Sequence, residues 1–357
     1  MNLRLTLLCG LVGVIVLALI RWLANDVIDV AKVSLSGGTT VLKLEGGIDA
    51  TSLHEAVCNG NHKKVKRLLT LPNVDVNEAT KDGWTPLCLA SQVGYTNVVE
   101  ILLAQSNIDV NAATEDGVTP LYAATLNDHS RVVEKLLAMP NIDVKATGEH
   151  DRTALHVACF FGYANVVDML LVHRSITVNA ADKYGKTPFT LASERGHSNV
   201  VDSLLEIPNV NVNAAMKDGA TPLYAAAYNG NLRIVEKLLS QPTIDVSAAQ
   251  EDGATPIHAA AFKGNARIVE ELLAMPSINA NAAGYRGMTP LYVASDLGHT
   301  SVVELLLASP DVMSFLHVAA KTGETPLDVA SKRGHQKIVD LILARSSIDV
   351  VELYHVN

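Results

Sequence analysis

From residue 49 onward, apolar and polar positions alternate in one pattern that recurs along the chain. A short alanine-rich stretch follows Thr-Pro or a variant of it, and a second stretch then carries apolar residues at positions i, i+1, i+4 and i+5. That spacing places apolar side chains on one face of a helix. The pattern returns every 34 residues, at Thr51, Thr85, Thr119, Thr153, Thr187, Thr221, Thr255 and Thr289, and after 36 residues at Thr325. A fixed period of this size predicts nine helix pairs that stack, because neither helix of a pair can bury its apolar face alone.

The residues around each threonine predict where the helices begin and end. Asp-Gly before the threonine favours a turn, the threonine hydroxyl can cap the helix, and proline suits the first helical position. A glycine such as Gly94 is expected to end the first helix in the left-handed conformation. Asp128 stands where this inter-helix glycine is expected, and Asp151 stands where the glycine of a finger is expected. Aspartate tolerates the left-handed conformation better than most residues.

The repeated stretch DGWTPLCLASQVGYTNVVEILLAQSNIDVNAA, residues 82–113, resembles the ankyrin repeat, as do its copies. The resemblance implies an all-α repeat solenoid of stacked helix-turn-helix units, with β-hairpin fingers between units and a gently curved concave face. It covers a domain at residues 49–350, which leaves residues 351–357 as a C-terminal tail. The two extra residues before Thr325, near Phe315 and Leu316, predict a distorted last junction.

The N-terminal segment, residues 1–24, has a different character. Its uncharged run from Leu5 to Ile20 spans about 24 Å as a helix, slightly less than a bilayer core, and Trp22 and its neighbours extend the run. This favours a transmembrane signal anchor, followed by a linker at 25–48. A slight excess of Lys and Arg after the run favours a cytosolic repeat domain. The alternative is a cleaved signal peptide, with a tolerable site at Val16–Ala18, and hence a secreted protein.

Composition and motifs argue against catalysis and nucleic-acid binding. The net charge is −9, which does not favour a broad grip on phosphates. Gly185-Lys186-Thr187 is similar to the end of a phosphate-binding loop, but these residues fill the ordinary turn and cap positions of their unit. His54, His156 and His258 share one repeat position and are expected to order their own turns. We therefore predict no cofactor, no metal and no catalytic residue, and four cysteines that stay free thiols.

Partner contacts are expected at positions that the repeat leaves variable. These are the finger residues before each threonine and the two residues before the inter-helix glycine, where aromatic residues and arginines concentrate; both types often anchor interfaces. The predicted partner-binding residues are Trp84, Arg152, Phe160, Phe161, Tyr184, Lys186, Glu194, Arg195, Tyr228, Phe262 and Lys263. The alternative is that these aromatic residues pack between neighbouring units.

These observations predict a monomeric, membrane-tethered, non-catalytic scaffold whose concave face and finger tips bind a protein partner. Two alternatives stay open. The first is a secreted ankyrin-repeat binding protein or effector released by signal cleavage, and the second is a structural spacer without a specific partner. Chemistry of an unfamiliar kind within the groove is a third.

Overall fold

The computed structural model describes residues 52–313 and 318–355, in which the helices form nine consecutive pairs, here called units 1 to 9. The first helices are Ser52–Cys58, Pro86–Val93, Pro120–Leu126, Ala154–Phe161, Pro188–Arg195, Pro222–Asn229, Pro256–Lys263, Pro290–Leu297 and Pro326–Arg333. The second helices are His62–Leu68, Thr96–Leu103, Ser130–Leu137, Ala164–Leu171, Ser198–Leu205, Leu232–Leu239, Ala266–Leu273, Thr300–Ala308 and Gln336–His355. The last helix enters the segment expected to be a tail. The segments 1–24 and 25–48 lie outside the described residues.

The helix ends follow the predicted chemistry. In unit 2 the hydroxyl oxygen of Thr85 accepts a hydrogen bond from the backbone N–H of Cys88, and Pro86 is the first helical residue. Gly94 ends that helix at φ 81°, the left-handed conformation. Asp128 and Asp151 adopt it as well, at φ 54° and φ 60°. The predicted caps and both aspartate substitutions are therefore confirmed.

One apolar core runs through all nine units. In units 2 to 9 the second helix contributes two adjacent β-branched residues and a leucine or isoleucine, as in Val98, Val99 and Leu102, all almost fully buried. The second helix of unit 1 contributes Val65 and Leu68. First helices contact the neighbouring first helices more extensively than second helices contact each other. The alanines of the first helices explain this, because a small side chain allows two helix backbones to approach closely.

The fingers are turns rather than hairpins. In unit 2 the backbone N–H of Thr80 donates to the carbonyl of Trp84 at 3.0 Å, and that of Gly83 donates to the carbonyl of Thr80 at 2.9 Å. Among the described residues the only β pairing is an isolated bridge between Thr147 and Thr153. The predicted β-hairpins are therefore not shown, because the tight turn leaves too few facing backbone groups to build a ladder.

Two fingers depart from the common turn. Residues Glu149–Asp151 and Tyr285–Gly287 form short 3₁₀ turns, and each begins after a glycine. His150 and Arg286 adopt positive φ angles at their centres. Near the C-terminus an extra helix, Pro310–Met313, follows unit 8 where other units turn directly outward. Phe315 and Leu316, expected to distort this junction, lie outside the described residues.

Side chains in the outward loops link successive units through backbone atoms. The Asn77 amide donates to the carbonyl of Asn107 at 2.7 Å and accepts from the N–H of Asp109 at 2.8 Å. Equivalent paired bonds come from Asn111, Asn179, Asn213 and Ser247. We call this series the loop ladder. It joins successive units through the loops between the end of each second helix and the following finger.

Candidate partner-binding site

The eleven residues predicted to contact a partner divide into two groups by burial. Four are buried, with exposed fractions of 1% for Arg152, 6% for Lys186, 4% for Glu194 and 8% for Phe160. The other seven are half-buried or exposed, namely Trp84, Phe161, Tyr184, Arg195, Tyr228, Phe262 and Lys263. The first four therefore have little side-chain surface left for a partner, and the role of all eleven in partner contact stays a prediction.

Arg152 is buried because Asp182, in the next finger, receives it. Nε of Arg152 donates to Oδ2 of Asp182 at 3.0 Å. Oδ1 of Asp182 accepts from the backbone N–H groups of Tyr184 at 2.8 Å and Lys186 at 2.9 Å. Asp182 thus orders its own finger and neutralises the guanidinium of the preceding one. Sequence analysis missed it, because nothing local distinguishes it from a surface turn residue.

Lys186 and Glu194 form a second buried pair, within unit 5. Nζ of Lys186 lies 2.9 Å from Oε2 of Glu194. In unit 9 the same two repeat positions hold Glu324 and Lys332, paired at 2.7 Å with the charges exchanged. In both units the residue just before the threonine therefore contacts the residue seven positions after the threonine. Opposite charges at this spacing were the sequence signal for the pair.

Phe160 is buried between two guanidinium groups. The Arg152 Cζ lies 5.4 Å from the ring centre of Phe160 and the Arg195 Cζ lies 4.0 Å from it. The two terminal nitrogens of Arg152 are buried and donate no hydrogen bond among the described residues. The ring of Phe160 stabilises part of the Arg152 charge that these nitrogens leave without a hydrogen-bond acceptor, since the negative face of an aromatic ring attracts cations. Phe160 therefore acts first as packing for these arginines.

A surface of aromatic rings and cations crosses units 4 to 7. Lys263 Nζ lies 4.2 Å from the ring centre of Tyr228 and 5.9 Å from that of Phe262, and these two rings stack at 6.0 Å. In unit 4 the Phe161 ring meets Phe160 edge-on at 5.0 Å. We define the cation–aromatic strip as the exposed or half-buried members Phe161, Arg195, Tyr228, Phe262 and Lys263.

Trp84 and Tyr184 lie outside this strip. Trp84 belongs to the finger of unit 2, where its carbonyl accepts from Nε2 of His54 at 3.1 Å. The Tyr184 ring meets the His150 ring edge-on at 5.7 Å, at the finger tips of units 4 and 5. The structure therefore brings together the helix-end residues of the predicted set, and leaves these two finger residues apart.

The shared histidine position orders turns, as expected. Nδ1 of His156 accepts from the backbone N–H of Thr153 at 3.1 Å, so Nε2 carries the proton and donates to the carbonyl of Ala180 at 3.0 Å. Burial lowers the pKa of His156 to about 4. His258 makes the equivalent bonds to Thr255 and Met288.

The described residues offer little for metal or thiol chemistry. Across the ranges 52–313 and 318–355, no three His, Cys, Asp or Glu side chains come together as a metal site. Cys88 and Cys159 are buried free thiols, and burial raises the pKa of Cys88 to about 12. A thiol with so high a pKa is a poor nucleophile at neutral pH.

Comparison with known proteins places these observations in a family. The family model described as ankyrin repeats (3 copies) matches six overlapping stretches between residues 53 and 352, namely 53–148, 114–182, 145–216, 207–283, 223–315 and 277–352. No curated protein matches the chain. Among the helices that the structure describes, none is both long and apolar enough to cross a membrane.

Proposed function

Because the chain belongs to the ankyrin-repeat family, a family of protein-interaction scaffolds, we propose that it binds a protein partner across the cation–aromatic strip of units 4 to 7. The strip lies at the ends of the first helices, on the face that the resemblance predicts to be concave. The observation that carries the proposal is the clustering of Tyr228, Phe262 and Lys263 in mutual contact at the surface. Aromatic and cationic residues in contact supply large, rigid contact area in protein interfaces.

The buried charges beneath the strip support this proposal. Arg152 and Asp182 fix the fingers, and Lys186 with Glu194 fixes the finger of unit 5 to its first helix. A binding surface held by packed and paired side chains loses little conformational entropy when a partner docks. With helices about 10 Å apart, four units extend over about 30 Å, which is long enough for an extended segment or a helix of a partner.

The test is a comparison of proteins cross-linked to the full chain and to two variants in the cells that produce it. Phe161→Ser/Tyr228→Ser/Phe262→Ser removes three rings of the strip, and we expect it to lose the principal partner. Trp84→Ser/Tyr184→Ser is the matched control, because it removes two half-buried rings from the fingers and leaves the strip intact. Circular dichroism establishes that both variants fold. An unchanged partner set in the triple variant would favour the spacer alternative.

We further propose that residues 1–24 tether the protein to a membrane and that the repeat domain is cytosolic. The support is the apolar run from Leu5 to Ile20 and the slight excess of Lys and Arg after it. The intact mass of the mature protein tests this. A mass that includes residues 1–24 supports the anchor, and a chain that begins near Ile20 supports cleavage and the secreted alternative.

A further inference from the structure

One position on the strip face changes chemistry from unit to unit. The residue eight positions after the threonine is a cation in three units, Arg195, Lys263 and Arg333, and all three are exposed. In the other six units it is uncharged: Asn59, Val93, Asn127, Phe161, Asn229 and Leu297. A cation at the end of a helix complements the helix dipole. Because six units do without one, the dipole alone does not explain the three cations.

Each of these cations faces the same position of the preceding unit, but the group found there differs. In unit 9, Nε of Arg333 donates to Oδ1 of Asp296 at 2.7 Å, so the cation meets a carboxylate. For Lys263 the corresponding group is the ring of Tyr228 at 4.2 Å, and for Arg195 it is the ring of Phe160 at 4.0 Å. Units 4 and 6 therefore present a ring face where unit 8 presents an acid.

Lys263 shows what a ring in place of an acid leaves at the surface. Its ammonium contacts the rings of Tyr228 and Phe262 and, within the part of the chain that the structure describes, no carboxylate. A ring face attracts a cation without neutralising its charge, so an exposed ammonium on two rings still attracts a carboxylate. The Arg333–Asp296 pair shows that a carboxylate fits against a cation at this position.

We propose that the strip binds an acidic segment of the partner, in which two carboxylates flank an apolar side chain. One carboxylate pairs with Arg195 and the other with Lys263, and the apolar side chain packs on Tyr228 between them. The inference rests on the proposed function and adds the chemistry of the partner. Arg195 and Lys263 are two units apart, about 20 Å, which an extended chain spans in about six residues.

Acidic residues on the finger side restrict where such a segment can lie. Burial raises the pKa of Tyr224, and the nearby carboxylates of Asp252 and Asp218 add to the effect. These carboxylates repel an acidic partner from the fingers of units 6 and 7 and favour the helix-end side, where Lys263 lies. The chain as a whole has a net charge of −9 and does not attract an acidic segment, so the attraction comes only from Arg195 and Lys263. Added salt should weaken it by screening these two ion pairs.

The experiment measures fluorescence anisotropy of labelled synthetic heptapeptides with the full chain in detergent. One peptide carries glutamate at its first and seventh positions and leucine at the fourth, and its control carries glutamine in place of both glutamates. We expect the acidic peptide to bind about tenfold more tightly, because two exposed ion pairs form. In Arg195→Glu/Lys263→Glu we expect that preference to disappear.

The matched control variant is Arg131→Glu/Arg233→Glu, which makes the same charge change at exposed positions of two second helices. It should keep the preference for the acidic peptide. The proposal is overturned if the acidic peptide does not bind, if it binds no better than the glutamine peptide, or if both double variants weaken it equally. If both peptides bind equally well and the triple ring variant abolishes both, the strip remains a partner site and only its acidic preference is lost.

Discussion

Units 4 and 5 are joined by polar bonds at each level of the repeat, whereas units 3 and 4 are joined by apolar packing. At the finger, the backbone N–H of Lys183 donates to the carbonyl of His150 at 2.9 Å. At the helix ends, Nε2 of His197 donates to the carbonyl of Phe160 at 3.0 Å. In the outward loops, Asn179 continues the loop ladder. The buried Arg152–Asp182 pair adds to these three links.

The neighbouring junction has different residues at the equivalent positions. Lys145 replaces the ladder asparagine, Tyr163 replaces the helix-end histidine, and Tyr122 replaces His156. Both ranges are fully described, and no hydrogen bond or ion pair joins residues 114–146 to residues 147–180. The apolar core nevertheless continues across this junction. Core packing therefore sets how units stack, and the polar links set how firmly each junction resists opening.

The largest expected effect tests the buried Arg152–Asp182 pair between units 4 and 5, here called the stronger junction; the junction between units 3 and 4 is the weaker one. Asp182→Ala leaves the guanidinium of Arg152 buried without its carboxylate and removes the acceptor of two backbone N–H groups. We expect the free energy of unfolding to fall by about 3–5 kcal/mol in urea denaturation. The matched control is Thr114→Ala, the same repeat position in unit 3, where the hydroxyl accepts one backbone N–H and the loss should be about 1 kcal/mol. Equal losses would contradict the comparison.

Acid should weaken the junction between units 4 and 5 more than the junction between units 3 and 4. The pKa of His156 is about 4 in the folded chain, below its ordinary value of 6.5, so the unfolded chain binds the proton more tightly. The contribution of His156 is complete above pH 6.5 and is lost as the pH falls toward 4, up to about 3 kcal/mol. Burial lowers the pKa of His258 as well, which adds in the same direction.

The variant His156→Tyr separates the two histidines. Tyr122 occupies the same repeat position in unit 3 and is buried there, so the ring has a precedent in this fold. Urea denaturation of this variant at pH 7 and pH 4.5 should show a smaller loss on acidification than the natural chain shows. If the variant loses as much unfolding free energy between pH 7 and pH 4.5 as the natural chain, His156 is not the cause of the acid sensitivity.

The weaker junction can be strengthened by one substitution. Lys145→Asn should restore the loop ladder between units 3 and 4, with one bond donated to the next loop and one accepted from it. Two such bonds at an exposed site should raise the free energy of unfolding by about 1 kcal/mol. Lys217→Asn, at an exposed finger residue, serves as the control and should change stability little. Slower amide exchange in residues 141–147 of Lys145→Asn would locate the gain.

The smallest expected effect concerns the surface cation of the stronger junction. Arg195→Gln removes the guanidinium from the Phe160 ring, and an exposed cation–π contact contributes about 0.5–1 kcal/mol. The free energy of unfolding should fall by about this amount, measured by the urea midpoint. A loss as large as that of Asp182→Ala would mean that Arg195 belongs to the buried cluster rather than to the surface.

The fold was predictable from the sequence because each cap is a local event. Thr85, Pro86 and Gly94 act within one helix, and the left-handed turn at Asp128 depends only on that residue and its neighbours. A period repeated nine times then specifies the stacking. The fingers were less predictable, because whether a short turn extends into a hairpin depends on pairing with the finger of the next unit.

The site was only partly predictable for the same physical reason. Exposed Arg195 and Lys263 were identified correctly as surface residues of the helix ends. Arg152 was expected at the surface, yet its burial depends on Asp182, 30 residues away in the next finger. A charged side chain can be buried when an oppositely charged residue of the next unit pairs with it. The pattern within one repeat does not identify that residue.

The loop ladder has a consequence for how such a chain can change in length. Asn77 bonds to the main-chain carbonyl and N–H of the following unit, and Asn179 does the same with its own successor. Because main-chain groups are the same in every unit, a duplicated or grafted unit would find its acceptors and donors already in place. The array can therefore gain or lose whole units during evolution with few compensating substitutions in the loop ladder. A duplication that separates Arg152 from Asp182, by contrast, would leave the Arg152 guanidinium buried without its carboxylate.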